Sequence, residues 1–130
     1  TGANGSTPMY QQEKYEENGS DIPLLKGTEM LALRAEAALR NDDINGAMTL
    51  LNQARAAAGM SDLATPGTLT EAWAILHAER GAITWLEDRR FWDERRWFAE
   101  SGPPHFDFLN GRDKCIPISK TEKDSNPNIP

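Results

Sequence analysis

Over the middle of this chain, apolar positions recur at the three- and four-residue spacing of helices; toward both ends that period is lost. The first periodic stretch predicts a helix over Thr28–Arg40, with Thr28 as N-cap and Glu29 in the first turn, where the helix dipole favours an acid. Its expected apolar face is Met30, Leu33 and Ala37, broadened by Leu31, Ala35, Ala38 and Leu39. Asn41-Asp42-Asp43 breaks the run and supplies a cap for the next. A second helix is predicted over Ile44–Ala58, with Ile44, Ala47, Met48, Leu51, Ala54 and Ala58 on one stripe and Gly59 at the left-handed closing position. Two helices of similar length joined by a few polar residues make an antiparallel hairpin. The pattern is that of one tetratricopeptide-like unit, and a lone unit needs neighbours to bury its faces.

After the turn-rich Ser61–Gly67, Thr68-x-x-Glu71 reads as a capping box opening a third helix. Trp73, Leu76, Arg80, Ile83 and either Leu86 or Glu87 fall on one side of it. The helical signal runs on toward Ala99 with a break expected near Glu87–Arg90, and Ser101-Gly102-Pro103-Pro104 ends it. Residues 1–21 are polar and read as an arm, with a short strand expected at Gln11–Tyr15. From Ser101 onward the chain holds five prolines and little periodicity; Lys114–Ile118 reads as a short extended segment and Ser125–Pro130 as turn-like. The expected fold class is therefore all-α: a tetratricopeptide-like hairpin, a third long helix and an irregular proline-rich C-terminal segment.

Charge and composition narrow the function. The 130 residues carry 14 Lys+Arg against 20 Asp+Glu, a net charge of −6, which argues against wrapping nucleic acid by neutralising phosphates. One cysteine excludes an internal disulfide framework and a multi-cysteine metal site. No apolar run approaches the roughly 20 residues that cross a bilayer.

Candidate chemistry concentrates in Glu87–Phe98, which mixes four arginines, four acids and four aromatics. Trp and Arg planes of that kind stack on bases or sugars. The same composition also suits a helix whose aromatics fill a core while its arginines pair with its acids at i,i+3 and i,i+4, and this structural reading is favoured. His77-Ala78-Glu79 matches half of a zinc-deaminase signature, but Cys115 precedes Ile116-Pro117 and the Pro-Cys-x-x-Cys half is missing. A mononuclear metal site from His77, Glu79, His105 and Asp107 is arithmetically available, yet no spacing requires it. Cys115 beside Lys114 is read as a small buried residue rather than an activated thiol. No nucleophile elbow or phosphate-cradling glycine loop occurs. The expectation is no catalytic residue, no metal and no cofactor. Ligand contacts stay unassigned; Tyr10, Tyr15 and Phe106 are the aromatics least committed to a helix.

Three motifs in order go further: Asp21-Ile22-Pro23 leading into Glu29 and Arg34-Ala35-Glu36-Ala37; Glu79-Arg80 followed by Glu87-Asp88-x-Arg90-Phe91-Trp92-Asp93-x-Arg95-Arg96-Trp97; and Cys115-Ile116-Pro117-Ile118 with Glu122-x-x-x-Asn126-Pro127-Asn128. From about Tyr10 to Ile129 the chain resembles the C-terminal part of the SusD/RagB family of surface nutrient-binding lipoproteins. It departs where the family has an acid and a Leu, at Ile83 and Thr84, and where it has Gly, at Asp88. The resemblance implies a tetratricopeptide-like scaffold at the outer-membrane surface. It also implies an oligosaccharide or peptide ligand handed to a TonB-dependent barrel, and no enzymatic activity. The alternative is a structural or assembly subunit using the scaffold for protein contacts. Family members are much longer and lipid-anchored on an N-terminal cysteine, whereas Cys115 lies near the other end. Residues 1–130 are thus expected to be one unit, the C-terminal portion of a larger protein whose membrane link lies outside them. Glu79, Arg80, Glu87, Arg90, Asp93 and Arg96 are assigned to structural ion pairs, and Trp92 and Trp97 to packing.

Overall fold

A computed structural model describes Ser6, residues 12–100 and residues 117–128. Five helices and no strand occur among them: α1 Gly27–Leu39, α2 Ile44–Ala57, α3 Leu69–Ile83, α4 Arg90–Ala99 and α5 Lys120–Ser125. The all-α expectation holds. The strand expected at Gln11–Tyr15 is absent over its described residues 12–15, which are non-helical and mostly exposed.

The hairpin forms as its sequence dictates. Asp43 caps α2 by accepting from the Gly46 amide at 2.8 Å. Asp42 makes the tight reversal between α1 and α2 at φ 58°, a left-handed conformation that Asp tolerates better than most residues. Gly59 closes α2 at φ 69°. At α3 both capping-box bonds are present, Thr68 Oγ1 accepting from the Glu71 amide and the Glu71 carboxylate accepting from the Thr68 amide. The cap of α1 differs from expectation. The N-cap is Lys26, without a side-chain cap bond, because its ammonium has no acceptor to offer the helix amides; it donates instead to the Ile83 carbonyl.

Ala32, Ala35 and Leu39 of α1 pack on Ala47, Met48 and Leu51 of α2, and Ala72, Trp73 and Leu76 of α3 close the third side. Alanines let the helix axes approach; the larger side chains fill the seams. Here the expected face of α1 needs correction. Met30 and Leu33 remain more than a third exposed and Ala37 is exposed, while Glu29 and Glu36 are buried on the inward face. A hydrophobicity pattern assigns acids to solvent, but these two carboxylates turn inward to meet arginines from elsewhere in the chain.

The long third helix breaks as expected, but earlier, ending at Ile83, four residues before Glu87. Residues 84–89 form a corner in which Leu86 (φ 60°) and Asp88 (φ 55°) both take the left-handed conformation. Beyond it α4 returns along the bundle, and its buried Trp97 meets Trp73 edge-to-face at 6.3 Å between ring centroids. In the C-terminal segment the chain is less irregular than expected. Ser119 accepts from the Glu122 amide and opens α5, with Lys120 paired to Asp124 one turn on. No helix among the described residues is long and apolar enough to cross a membrane.

Candidate functional site

The third helix ends in a polar knot. Glu36, from α1, has only 5% of its side chain exposed and accepts from three donors. Arg40 reaches it at 2.7 Å, Arg96 of α4 at 2.8 Å, and the Trp97 indole N–H at 3.2 Å. Burial alone would raise the pKa of this carboxyl; the bonds from Arg96, Arg40 and Trp97 outweigh it and lower it from 4.5 to about 2. Arg96 is shifted up in turn by its bond to Glu36, against the opposing effect of burial. Beside this knot Arg80 grips Asp93 through both carboxylate oxygens, one at 3.0 Å, with both side chains nearly inaccessible. The guanidinium fork matches two oxygens at once, so the pair fixes the angle between α3 and α4 as well as their distance.

A second cluster holds the corner itself. Lys14 and Lys26 both donate to Glu87 Oε1. Each ammonium also donates to a main-chain carbonyl left open where α3 ends, Lys14 to Trp85 and Lys26 to Ile83. The lysines prevail over burial and hold the Glu87 carboxyl below the usual range. Arg89 links the corner to the segment before α1, donating to the Leu24 carbonyl at 2.7 Å and pairing with buried Glu29 at 3.2 Å. Thr84 is buried where the resemblance expects an apolar Leu; its hydroxyl donates to the Arg80 carbonyl at 2.8 Å, which satisfies it inside the helix.

On the outer side of the corner lies an open groove of about 320 Å³ lined by Gly81, Thr84, Trp85, Leu86, Asp88, Arg90, Phe91 and Glu94. Arg90 lies across Gly81 so closely that a Cβ there would sit 2.0 Å from Nη1. Arg90 pairs with Glu94 at 2.9 Å and meets His77 Nε2 at 3.2 Å. Burial and the nearby Arg90 charge lower the His77 pKa despite Glu94, so the ring is neutral at pH 7 and Nε2 can accept from Arg90.

The residues singled out in the sequence divide accordingly. Arg80, Asp93 and Arg96 meet in the inner knot, Glu87 in the lysine cluster and Arg90 in the groove. Glu79 stands apart, pairing with Arg55 of α2 at 2.7 Å. Arg90–Glu94, Arg96–Asp93 and Arg96–Glu100 keep the local spacing expected of a self-paired helix. The remaining partners, Glu36, Arg55, Lys14 and Lys26, come from distant parts of the chain and carried no local signal. Trp97 packs as assigned, but Trp92 does not: it is 53% exposed, touching Phe91 and Arg95. Asp93 and Trp97, four residues apart, turn one face of α4 inward, and Trp92 lies off that face. Of the metal quartet, His77 and Glu79 have the partners just described, while His105 and Asp107 lie outside the described residues, as do Tyr10, Phe106 and Cys115. No three His, Cys, Asp or Glu side chains gather into a metal-holding group among the described residues. Tyr15 is half-buried with its hydroxyl enclosed and unpartnered. Trp85, exposed beside the groove, received no assignment from the sequence.

A hairpin of tetratricopeptide type, extended by a third helix and a returning fourth that is locked by buried Arg–carboxylate pairs, defines a helical scaffold class with a groove at its turned corner. The SusD family model matches residues 6–129, nearly the entire chain, and the chain belongs to that family. No curated protein and no solved structure matches it.

Proposed function

We propose that this chain is part of a non-catalytic nutrient-binding protein that takes oligosaccharide or peptide at the outer-membrane surface and works with a TonB-dependent barrel transporter. Membership of the SusD family over residues 6–129 carries the reading. The chemistry of the described residues is in keeping with it. Arg80–Asp93, Arg96–Glu36 and Arg90–Glu94 engage acids and arginines with one another in pairs that position helices. The outer-membrane association of this reading rests on the same family membership. The test is twofold: calorimetric titration of the chain with a panel of oligosaccharides and peptides, and co-purification of the native protein with an outer-membrane barrel. Binding to at least one ligand class together with barrel recovery is the expected result. Indifference to both panels with recovery of other soluble proteins would replace this reading by a structural or assembly role.

A further inference from the structure

We propose that His77, Arg90 and Gly81 form a proton-operated latch on the corner groove: with His77 neutral, Arg90 is seated across Gly81 and narrows the groove; with His77 protonated, the ring takes Glu94 and Arg90 swings into solvent, so that mild acid widens it. The latch works whatever occupies the groove, so it stands apart from the nutrient-binding reading. Its decisive contacts are made by one atom. His77 Nε2 lies 3.2 Å from Arg90 Nη2, a donor, and 3.5 Å from Glu94 Oε1, an acceptor. Without a proton Nε2 can only accept, and it accepts from Arg90. With a proton it can only donate, and of the two neighbours only Glu94 can receive the bond. The Arg90 contact then sets a donor against a donor and a cation against a cation. Burial and the Arg90 charge hold the His77 pKa below 6.5 against Glu94 and Asp93, which places the change on the acid side of neutrality.

Exposure decides which partner moves. The His77 side chain is 19% exposed and that of Glu94 7%, whereas that of Arg90 is 52% exposed. His77 is held against the Trp97 ring, at 5.8 Å between centroids. Arg90 has a long flexible stem whose charged head rehydrates when it leaves. The other charges around the ring are engaged. Asp93 of α4 is held by Arg80 and Arg96; Glu36 of α1, which accepts from the Trp97 N–H, is bound by Arg40 and Arg96; Glu79 of α3 is paired with Arg55 of α2. The seat itself is Gly81, inside α3, where glycine is a poor helix former. The Arg90 guanidinium lies so close over it that a Cβ there would collide with Nη1. The missing side chain is what permits the closed position. Gly81, Arg90 and Glu94 all line the groove, so the swing of Arg90 changes the groove directly.

The test is a nuclear magnetic resonance titration of the full chain from about pH 8 to about pH 4.5. It follows the His77 ring C–H signals, with His105, the chain's other histidine, as internal reference. It also follows the Overhauser contact between the Arg90 side chain and the Gly81 Hα. The His77 midpoint is expected below 6.5, and the Arg90–Gly81 contact should vanish with that same midpoint while helical circular dichroism stays constant. Gly81→Ala should keep Arg90 off its seat at every pH, draw its charge away from His77 and so raise the His77 midpoint. Arg90→Gln should raise it as well, by removing the charge outright. The latch is overturned by a contact that persists through the His77 titration, by a midpoint at or above 6.5, by a native midpoint in Gly81→Ala, or by helicity that falls together with the contact. Should Gly81→Ala fail to fold, the native titration and Arg90→Gln decide the matter by themselves.

Discussion

The α1–α2 hairpin and the α4 arm are both helices packed on α3, yet they are held by opposite chemistry. The hairpin is closed by Ala32, Ala35, Leu39, Ala47, Met48 and Leu51, all at most 1% exposed, while its two buried acids, Glu29 and Glu36, are directed to Arg89 and Arg96 beyond it. α4 buries Trp97 among its described side chains and attaches through Arg96 to Glu36 and Asp93 to Arg80. Apolar packing tolerates small adjustments because it has no direction. Bidentate ion pairs in a dry setting are directional: intact, they fix one geometry, and broken, they strand a charge. The hairpin is thus the part built for stability, and the corner with α4 the part built for a particular placement of side chains.

That contrast can be broken first at Asp93. Asp93→Ala leaves the Arg80 guanidinium, 7% exposed, without its partner, and a loss of about 3–5 kcal/mol is expected in urea denaturation. Replacing both partners by Leu should restore much of that loss, since two apolar groups avoid the stranded charge. Leu51→Ala addresses the other region. A cavity at a fully buried position costs about 2–5 kcal/mol, and no second substitution by a charge partner should rescue it.

Acid sharpens the comparison further. Because the Glu36 pKa is lowered in the fold to about 2 from 4.5, its contribution is fully present above pH 4.5 and is lost as pH falls toward 2. The amount at stake is on the order of 3 kcal/mol. Glu87, lowered as well, acts in the same direction, and neutral His77 withdraws stability already as pH falls below 6.5. Urea midpoints at pH 7, 5, 3 and 2 should decline in the native chain and decline much less in Glu36→Gln. The smallest expected effect lies in the corner. Leu86→Gly relieves a left-handed non-glycine residue and should stabilise the chain by about 1 kcal/mol, read as a rise in melting temperature; Asp88→Gly should follow with a few tenths, since Asp bears that conformation more easily.

The hairpin was legible in the sequence because its determinants are local. Asp43, Gly59 and the Thr68–Glu71 box act within four residues of themselves, and the stripe Ala47-Met48-Leu51-Ala54 follows the helical period. What the period misassigned was α1, where buried Glu29 and Glu36 displaced Met30 and Leu33 from the inward face. Arg40 lies one turn from Glu36, but Arg89 and Arg96 lie 60 residues from Glu29 and Glu36, and no local window along the chain contains both ends of those bonds. The same reason hid Lys14 and Lys26. The dense run Glu87–Phe98 pointed to ion pairing, but its local spacing could not tell inward Trp97 from outward Trp92. One signal was present and unused: Ser119-x-x-Glu122, which opens α5 as Thr68-x-x-Glu71 opens α3.

Residue-resolved hydrogen exchange on Glu36→Gln at pH 7 tests the division between these regions most directly, because the substituted carboxylate sits on α1 while its strongest donor sits on α4. Protection is expected to collapse for the amides of residues 90–99 and to persist in α1 and α2. Loss of protection spread evenly over all helices, or confined to α1, would contradict the claim that buried charge rather than apolar packing holds α4 in place.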